Sequence, residues 1–260
     1  MTHVTSRDVT PIAVQRSGDG KPLLLVHGTT ATHKRWAALT PRLAPHFTVY
    51  AMDRRGRGGS GDAPDYDILR EAEDVAAVVD AIGEPAAVLG HSYGALCALE
   101  AALLTHNISR LILYEPPVPT ETPLIPRDVP AKMQALIDKG DFEAALLLFL
   151  RRGPRMPEHE LQAYRQLPVW PTRVQLAPTI PREIAIDRTY IFDGDRFSNV
   201  DVPTLLLLGG DSPPPFQTGI ALLHAALPNS QIVTMPGQQH IAMDTAPDLF
   251  VQETLQFLAA

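Results

Sequence analysis

Three short stretches of the 260-residue chain carry residue types suited to nucleophilic chemistry. In Gly90-His91-Ser92-Tyr93-Gly94, a serine is bracketed by glycines two positions before and two after it. An apolar run precedes it and a helical pattern follows, so the spacing fits a tight, strained turn in which the glycines let strand and helix approach without Cβ clashes. Such a turn lifts the hydroxyl above a sheet edge at a helix N-terminus, where the dipole favours developing negative charge. His27-Gly28-Thr29-Thr30 follows an earlier apolar run. Its glycine lets a backbone N–H, that of Thr29, point at the serine, and with the N–H of Tyr93 this makes a two-donor site for a tetrahedral oxyanion. His240, in Gly237-Gln238-Gln239-His240, lies in the loop after the last apolar run, where a general base for Ser92 has to come from. His3, His46, His106, His159 and His224 have no such setting and read as structural or surface residues.

These groups need a rigid frame. Residues 23–26, 47–52, 86–89, 111–114, 205–208 and 231–235 are apolar almost throughout rather than alternating, which suggests parallel strands covered on both faces. Between them lie helical patterns. Leu69, Val75, Val79 and Ile82 share a face, with Asp67 as N-cap and Gly83 as C-cap; Leu96, Leu99 and Leu103 do the same within residues 95–104. A last helix starts at Pro247 and presents Phe250 and Phe257. Strand–helix alternation of this kind predicts an α/β, doubly wound sheet, preceded by an antiparallel edge hairpin around residues 12–14 that turns near Gly18-Asp19-Gly20. From Pro117 to about Val202 the rhythm breaks and prolines are dense. Two helices are expected there, one around Met133, Leu136 and Ile137 ending at Gly140, the next with Phe142, Leu146, Phe149 and Leu150. The segment reads as a helical cap, residues 117–202, inserted into a core made of 1–116 and 203–260; a loop region this long inside a domain is usually functional.

Composition removes several function classes. With 45% hydrophobic, 20% charged and 6% aromatic residues the chain reads as globular, and 260 residues bury a core without staples. The formal net charge is −7, and basic residues bunch only at His33-Lys34-Arg35 and Arg54-Arg55-Gly56-Arg57, which argues against wrapping nucleic acid. Cys97 stands alone, so neither an internal disulfide nor a cysteine-based metal site is expected, and among alanines and leucines it reads as a buried small residue. Residues 1–8 lack the apolar core of a signal peptide, and no apolar run approaches the roughly 18 residues of a membrane helix. The expectation is a cytoplasmic protein acting on a small molecule, without membrane, metal or organic cofactor; a homo-oligomer is not indicated. Arg151, Arg152 and Arg155 read as a solvated face, with selection of an acidic substrate as the alternative.

Asp53-Arg54-Arg55-Gly56-Arg57-Gly58-Gly59-Ser60 resembles the D-x-R-G-x-G-x-S turn after the fourth strand of the α/β-hydrolase fold family. His27-Gly28 resembles that family's oxyanion motif, Ser92 its elbow nucleophile and His240 its histidine, in the order serine, acid, histidine. The resemblance spans essentially the whole chain and implies a mostly parallel sheet of about eight strands with a cap of helices inserted after strand six. The acid departs from the pattern. The family's usual carboxylate stands three residues past a glycine in the stretch Gly209-Gly210-Asp211-Ser212-Pro213, and that place holds Ser212. Glu115, at the end of the strand expected beside the nucleophile strand, is the preferred acid, as in certain lactone hydrolases of the family; Asp211 is the alternative and Asp244 a third candidate. Trp36, Tyr164, Trp170 and Phe216 are candidate pocket walls.

The chemistry implied is cleavage of an ester, lactone or thioester through an acyl-enzyme on Ser92. The same residues also resemble those of cofactor-free perhydrolases, C–C hydrolases and cyclising or eliminating enzymes. A different class is a hydrolase-like ligand-binding protein with little turnover. Gly56-Arg57-Gly58-Gly59-Ser60-Gly61 matches the dinucleotide pattern G-x-G-x-x-G, but Asp62-Ala63-Pro64-Asp65 follows where a helix should open on the phosphate.

Overall fold

The uniformly apolar runs become the centre of one sheet. The computed structural model describes residues 1–259, apart from the side chain of Asp187. Its strands are β1 (Thr2–Thr5), β2 (Pro11–Ser17), β3 (Lys21–Val26), β4 (Phe47–Met52), β5 (Ala86–His91), β6 (Ile108–Tyr114), β7 (Thr204–Gly209) and β8 (Ser230–Met235). The spatial order is β1-β2-β4-β3-β5-β6-β7-β8, antiparallel at the first two pairings and parallel at the rest. Every residue of β5 is buried, as expected of a strand covered on both faces. The edge hairpin forms with a different partner: β2 pairs with β1, not through the turn at residues 18–20. That turn leads into β3, because the inner edge of β2 is already taken by β4, from Val14↔Met52 to Ser17↔Val49.

Helices α1 (Thr40–Leu43), α2 (Ile68–Ile82) and α3 (Tyr93–Ala101) lie in the first half. Asp67 caps α2 by accepting from Leu69 N–H at 2.8 Å, and Gly83 ends it in the left-handed conformation at φ +83°. The buried stripe of α2 runs through Ile68, Ala72, Val75 and Val79, while Leu69 is 47% exposed. The stripe therefore starts one residue earlier than the leucine suggested, because neighbours on a helix point about 100° apart. Cys97 is fully buried in α3, as expected.

Between β6 and β7 the chain forms α4 (Val129–Asp138), α5 (Phe142–Arg152), α6 (Glu158–Arg165), α7 (Trp170–Gln175), α8 (Ile180–Ile184) and α9 (Ile186–Thr189). The first two match the sequence expectation. The later four are short, and three of them are proline-marked, with Pro157 at the cap of α6 and prolines in the first turns of α7 and α8, positions where a missing N–H costs nothing. Leu161, Ile180 and Ile184 join the same apolar cluster as Leu23, Leu25 and Ile112 of the sheet, and Ile186 of α9 joins the other, with Leu24 and Leu96. Helices α10 (Pro214–Ala226), α11 (Ala242–Thr245) and α12 (Pro247–Ala259) complete the chain, with Phe250 and Phe257 of α12 buried.

The turn after β4 ties this insertion down with charge. Arg54 donates to Glu71 of α2 through Nε at 2.8 Å and Nη2 at 2.6 Å, and Nη2 also reaches Glu183 of α8 at 2.6 Å. Arg57 bonds Glu183 as well, and Arg55 makes a two-point contact with Asp74 at 2.7 Å. Burial pushes the Glu71 carboxyl up, but the Arg54 guanidinium outweighs this and holds it at about 2. A depressed carboxylate contributes stability above its unfolded value and loses it as pH falls towards the folded value. Urea unfolding is therefore expected to show the stability gap between wild type and Glu71→Gln narrowing by about 2 kcal/mol between about pH 5 and pH 3. A gap that stays constant over that range contradicts this account.

The same turn disposes of the dinucleotide pattern. Asp53 fills it, accepting from Gly59 N–H at 2.9 Å and from His33 N–H at 2.6 Å, so a buried carboxylate sits where a phosphate would have to go.

Candidate active site

Ser92 stands at the junction of β5 and α3 with φ +55° and ψ −126°, a conformation that costs a serine of order 1–3 kcal/mol and survives only when its surroundings impose it. They do so through Ser92 N–H, which donates to Tyr114 O at 2.8 Å, and Ser92 O, which accepts from Ala95 N–H at 2.8 Å. Gly94 is required: a Cβ there would lie 2.3 Å from His27 O and 2.5 Å from Val26 O. Gly28 is required for the same reason, since its Cβ would come 2.9 Å from Ser92 Cβ. The backbone after β3 is thereby pressed against the serine. The N–H groups of Thr29 and Tyr93 have no protein acceptor among the described residues, and both residues line the cavity that holds Ser92.

His240 arrives from the loop after β8. Its Nδ1 lies 2.7 Å from Glu115 Oε2, its ring stacks on Phe216 at 4.5 Å, and its carbonyl is 2.9 Å from His91 Nε2. Tyr114 braces the same loop, donating its hydroxyl to Gln239 O and accepting from Ala242 N–H at 3.0 Å. Ser92 and His240 face one cavity of about 710 Å³ including its open mouth. No hydrogen bond joins them among the described residues; bonds of this kind commonly tighten only around a substrate. Burial, and then the neighbouring His240, pull the pKa of His91 well below the ordinary imidazole value.

Glu115 is fully buried and carries φ +46°, a bend that turns the end of β6 toward the histidine. Its Oε1 accepts from Gly209 N–H at 2.7 Å and from Ser212 Oγ at 2.5 Å. Asp211, the alternative acid, is placed differently. It is exposed and has no bond to His240, and its own N–H donates to Gln238 O at 2.9 Å. Asp244 is committed to Arg35, at 2.6 and 2.8 Å.

The arrangement coincides with a known pattern: the sequence signature of the alpha/beta hydrolase family matches residues 23–253. The chain belongs to that family. Among solved structures, an alpha/beta hydrolase from Sphaerobacter thermophilus is 38% identical, with a TM-score of 0.86 over 99% of this chain and 100% of that one. The 2-(acetamidomethylene)succinate hydrolase of Mesorhizobium japonicum is 24% identical over 95% of this chain and 91% of its own. The pimeloyl-[acyl-carrier protein] methyl ester esterase of Aeromonas hydrophila is 27% identical over 93% and 96%.

In this α/β hydrolase Ser212 stands where the sequence placed the family's usual acid, and its hydroxyl donates to Glu115. Of the expected pocket walls, Tyr164 and Phe216 line the cavity. Trp36 and Trp170 do not. Trp36 is fully buried in the apolar cluster, and Trp170 stands edge-on behind Tyr164 with Nε1 donating to Glu143 at 3.1 Å. Long apolar side chains were read as walls where the fold uses them as core. Arg151 and Arg152 are exposed and face Glu158 and Asp128, and Arg155 is exposed too, in keeping with a solvated face. Sequence reasoning missed His91, Tyr114 and Ser212 as supports of the site. A serine at the usual acid position was the one signal, pointing to Ser212.

Proposed function

We propose that this α/β hydrolase cleaves an ester, lactone or thioester of a small molecule through an acyl-enzyme on Ser92, beneath a cap formed by residues 117–202. The observation that carries the reading is the 2.7 Å contact of His240 Nδ1 with the buried Glu115, in a site where Ser92 is held strained at the start of α3. Ser92 Oγ attacks the acyl carbon as His240 Nε2 takes its proton. Glu115 accepts from Nδ1–H, fixing the tautomer and offsetting the imidazolium charge. The oxyanion is held by the N–H groups of Thr29 and Tyr93, each donor worth about a hundredfold in rate. His240 returns the proton to the leaving oxygen or sulfur as the acyl bond breaks. It then takes a proton from water, whose oxygen attacks the acyl-enzyme, and protonates Ser92 as the carboxylic acid leaves. The methyl ester esterase among the relatives supports an acyl substrate.

A fluorophosphonate probe tests this directly. The expected result is one phosphonyl adduct per chain, mapped to Ser92 by peptide mass spectrometry and abolished in Ser92→Ala. Wild type that stays unlabelled while folded overturns the reading.

A further inference from the structure

Five arginines are buried, and four of them have carboxylate partners: Arg35 with Asp244, Arg54 and Arg57 with Glu183, and Arg55 with Asp74. Arg173 is the exception. It sits on α7 at 6% exposure and lines the cavity together with Ser92, His240 and Tyr164. Its Nη1 donates to Thr30 Oγ1 at 2.9 Å and, at 3.4 Å, to Thr29 O, and its guanidinium lies 4.6 Å from the centre of the Tyr164 ring. Its Nε and Nη2 have no acceptor, and no carboxylate reaches it, among the described residues. Burial pulls its pKa down, yet a guanidinium stays charged in any protein environment. A buried cation without a counter-charge is costly, and a protein that keeps one beside a reactive serine does so for something that enters the cavity. Leu124, Phe149, Met156 and Ile184 supply apolar wall, and the one carboxylate of the lining, Glu183, is already held by Arg54 and Arg57.

We propose that Arg173 is the specificity residue of this hydrolase, binding a carboxylate of the substrate through Nε and Nη2, so that the site takes half-esters of small dicarboxylic acids or their lactone or thioester equivalents. The planar fork of arginine matches a carboxylate in two-point contact, and the apolar walls accept the carbon chain between that carboxylate and the scissile acyl group. Because Nη1 holds Thr29 and Thr30, a bound carboxylate also anchors the loop that supplies an oxyanion donor. The inference rests on the acyl-transfer reading above and deepens it.

The test compares two esters of matched shape, p-nitrophenyl hydrogen glutarate and p-nitrophenyl 5-methylhexanoate, on wild type, Arg173→Gln and Arg173→Lys. The expected result is a fall in kcat/KM of about 10- to 100-fold for the glutarate half-ester in Arg173→Gln, carried mainly by KM. The uncharged ester is expected to lose at least about fivefold less than the half-ester, and Arg173→Lys falls between. Equal losses on both esters mean that Arg173 only positions the Thr29–Thr30 loop, and overturn the proposal. So does an unchanged preference for the glutarate half-ester in Arg173→Gln. A second measurement does not depend on turnover: glutarate binding by calorimetry is expected in wild type and in Ser92→Ala, and at least tenfold weaker in Arg173→Gln. Equal glutarate binding by all three proteins overturns the proposal whatever the esterase result. An unlabelled Ser92 with intact, Arg173-dependent glutarate binding sinks the acyl-enzyme reading alone. Removing an unpaired buried charge is expected to leave the thermal midpoint of Arg173→Gln unchanged or raised, and should that variant fail to fold, Arg173→Lys carries the same comparison.

Discussion

Ser92→Ala is expected to lower kcat on an activated ester by about five to six orders of magnitude, leaving the slow background that the oxyanion donors and substrate binding sustain by themselves. In the proposed reaction this hydroxyl forms and breaks the bond to carbon, and no neighbour takes over that role. His240→Ala is expected to cost about as much, and the double variant little more, because nucleophile and base act as one unit. The fold should survive the serine change, since Ser92 is held through its backbone N–H and C=O, which alanine retains. Stopped-flow kinetics on p-nitrophenyl acetate check both points: wild type shows a burst of about one equivalent per site, and the variants show none. A Ser92→Ala protein within tenfold of wild type would falsify the assignment.

Glu115→Gln carries the second large effect. It keeps the shape of the side chain but removes the charge, and a fall in kcat of about ten-thousandfold is expected, as for other acid-to-amide changes in such triads. Nδ1–H of His240 then faces an amide that offsets no positive charge and can present an N–H in place of an acceptor. The amide also loses the charge that strengthens the bonds from Gly209 N–H and Ser212 Oγ at 2.7 and 2.5 Å. Asp211→Asn is the matched control, expected within about twofold of wild type because an exposed side chain away from the machinery rarely matters more. The two kcat values, measured on one ester and with folding checked by circular dichroism, separate the acids. Near-normal turnover in Glu115→Gln with a large loss in Asp211→Asn reverses the assignment.

How much of this was legible differs from residue to residue. Local rules were enough wherever the chemistry depends on one turn. The glycines around Ser92 and the one after His27 announce a close approach of backbones, and Gly94 and Gly28 are where a Cβ would collide. The Asp67 and Gly83 caps, the strands of the parallel core and the helix opening at Pro247 are likewise short-range, because each depends on propensity and periodicity within a few residues. Local rules were insufficient for the later part of the insertion. Helices α6 to α9 are four to eight residues long, too short for a periodic signal, and their prolines read as breakers although several occupy first turns. Val75 and Val79 of the α2 stripe are buried as expected, and only its start was misplaced by one residue, since Ile68 and Leu69 are both strongly apolar and packing chooses between them.

By itself, then, the order of residues determined the sheet, singled out Ser92 and His240 as the proposed nucleophile and base, and narrowed the proposed acid to a short list headed by Glu115. Only tertiary structure sets Glu115 apart from Asp211, because it buries the Glu115 carboxylate against an imidazole 125 positions away in the chain. It also decided which arginine meets the cavity. Arg151, Arg152 and Arg155 face solvent or surface carboxylates, while Arg173 is buried at the cavity with no carboxylate within ion-pair distance among the described residues. Charge pairing is a matter of distances of a few ångströms between residues far apart in sequence, and only the folded chain brings those distances into being.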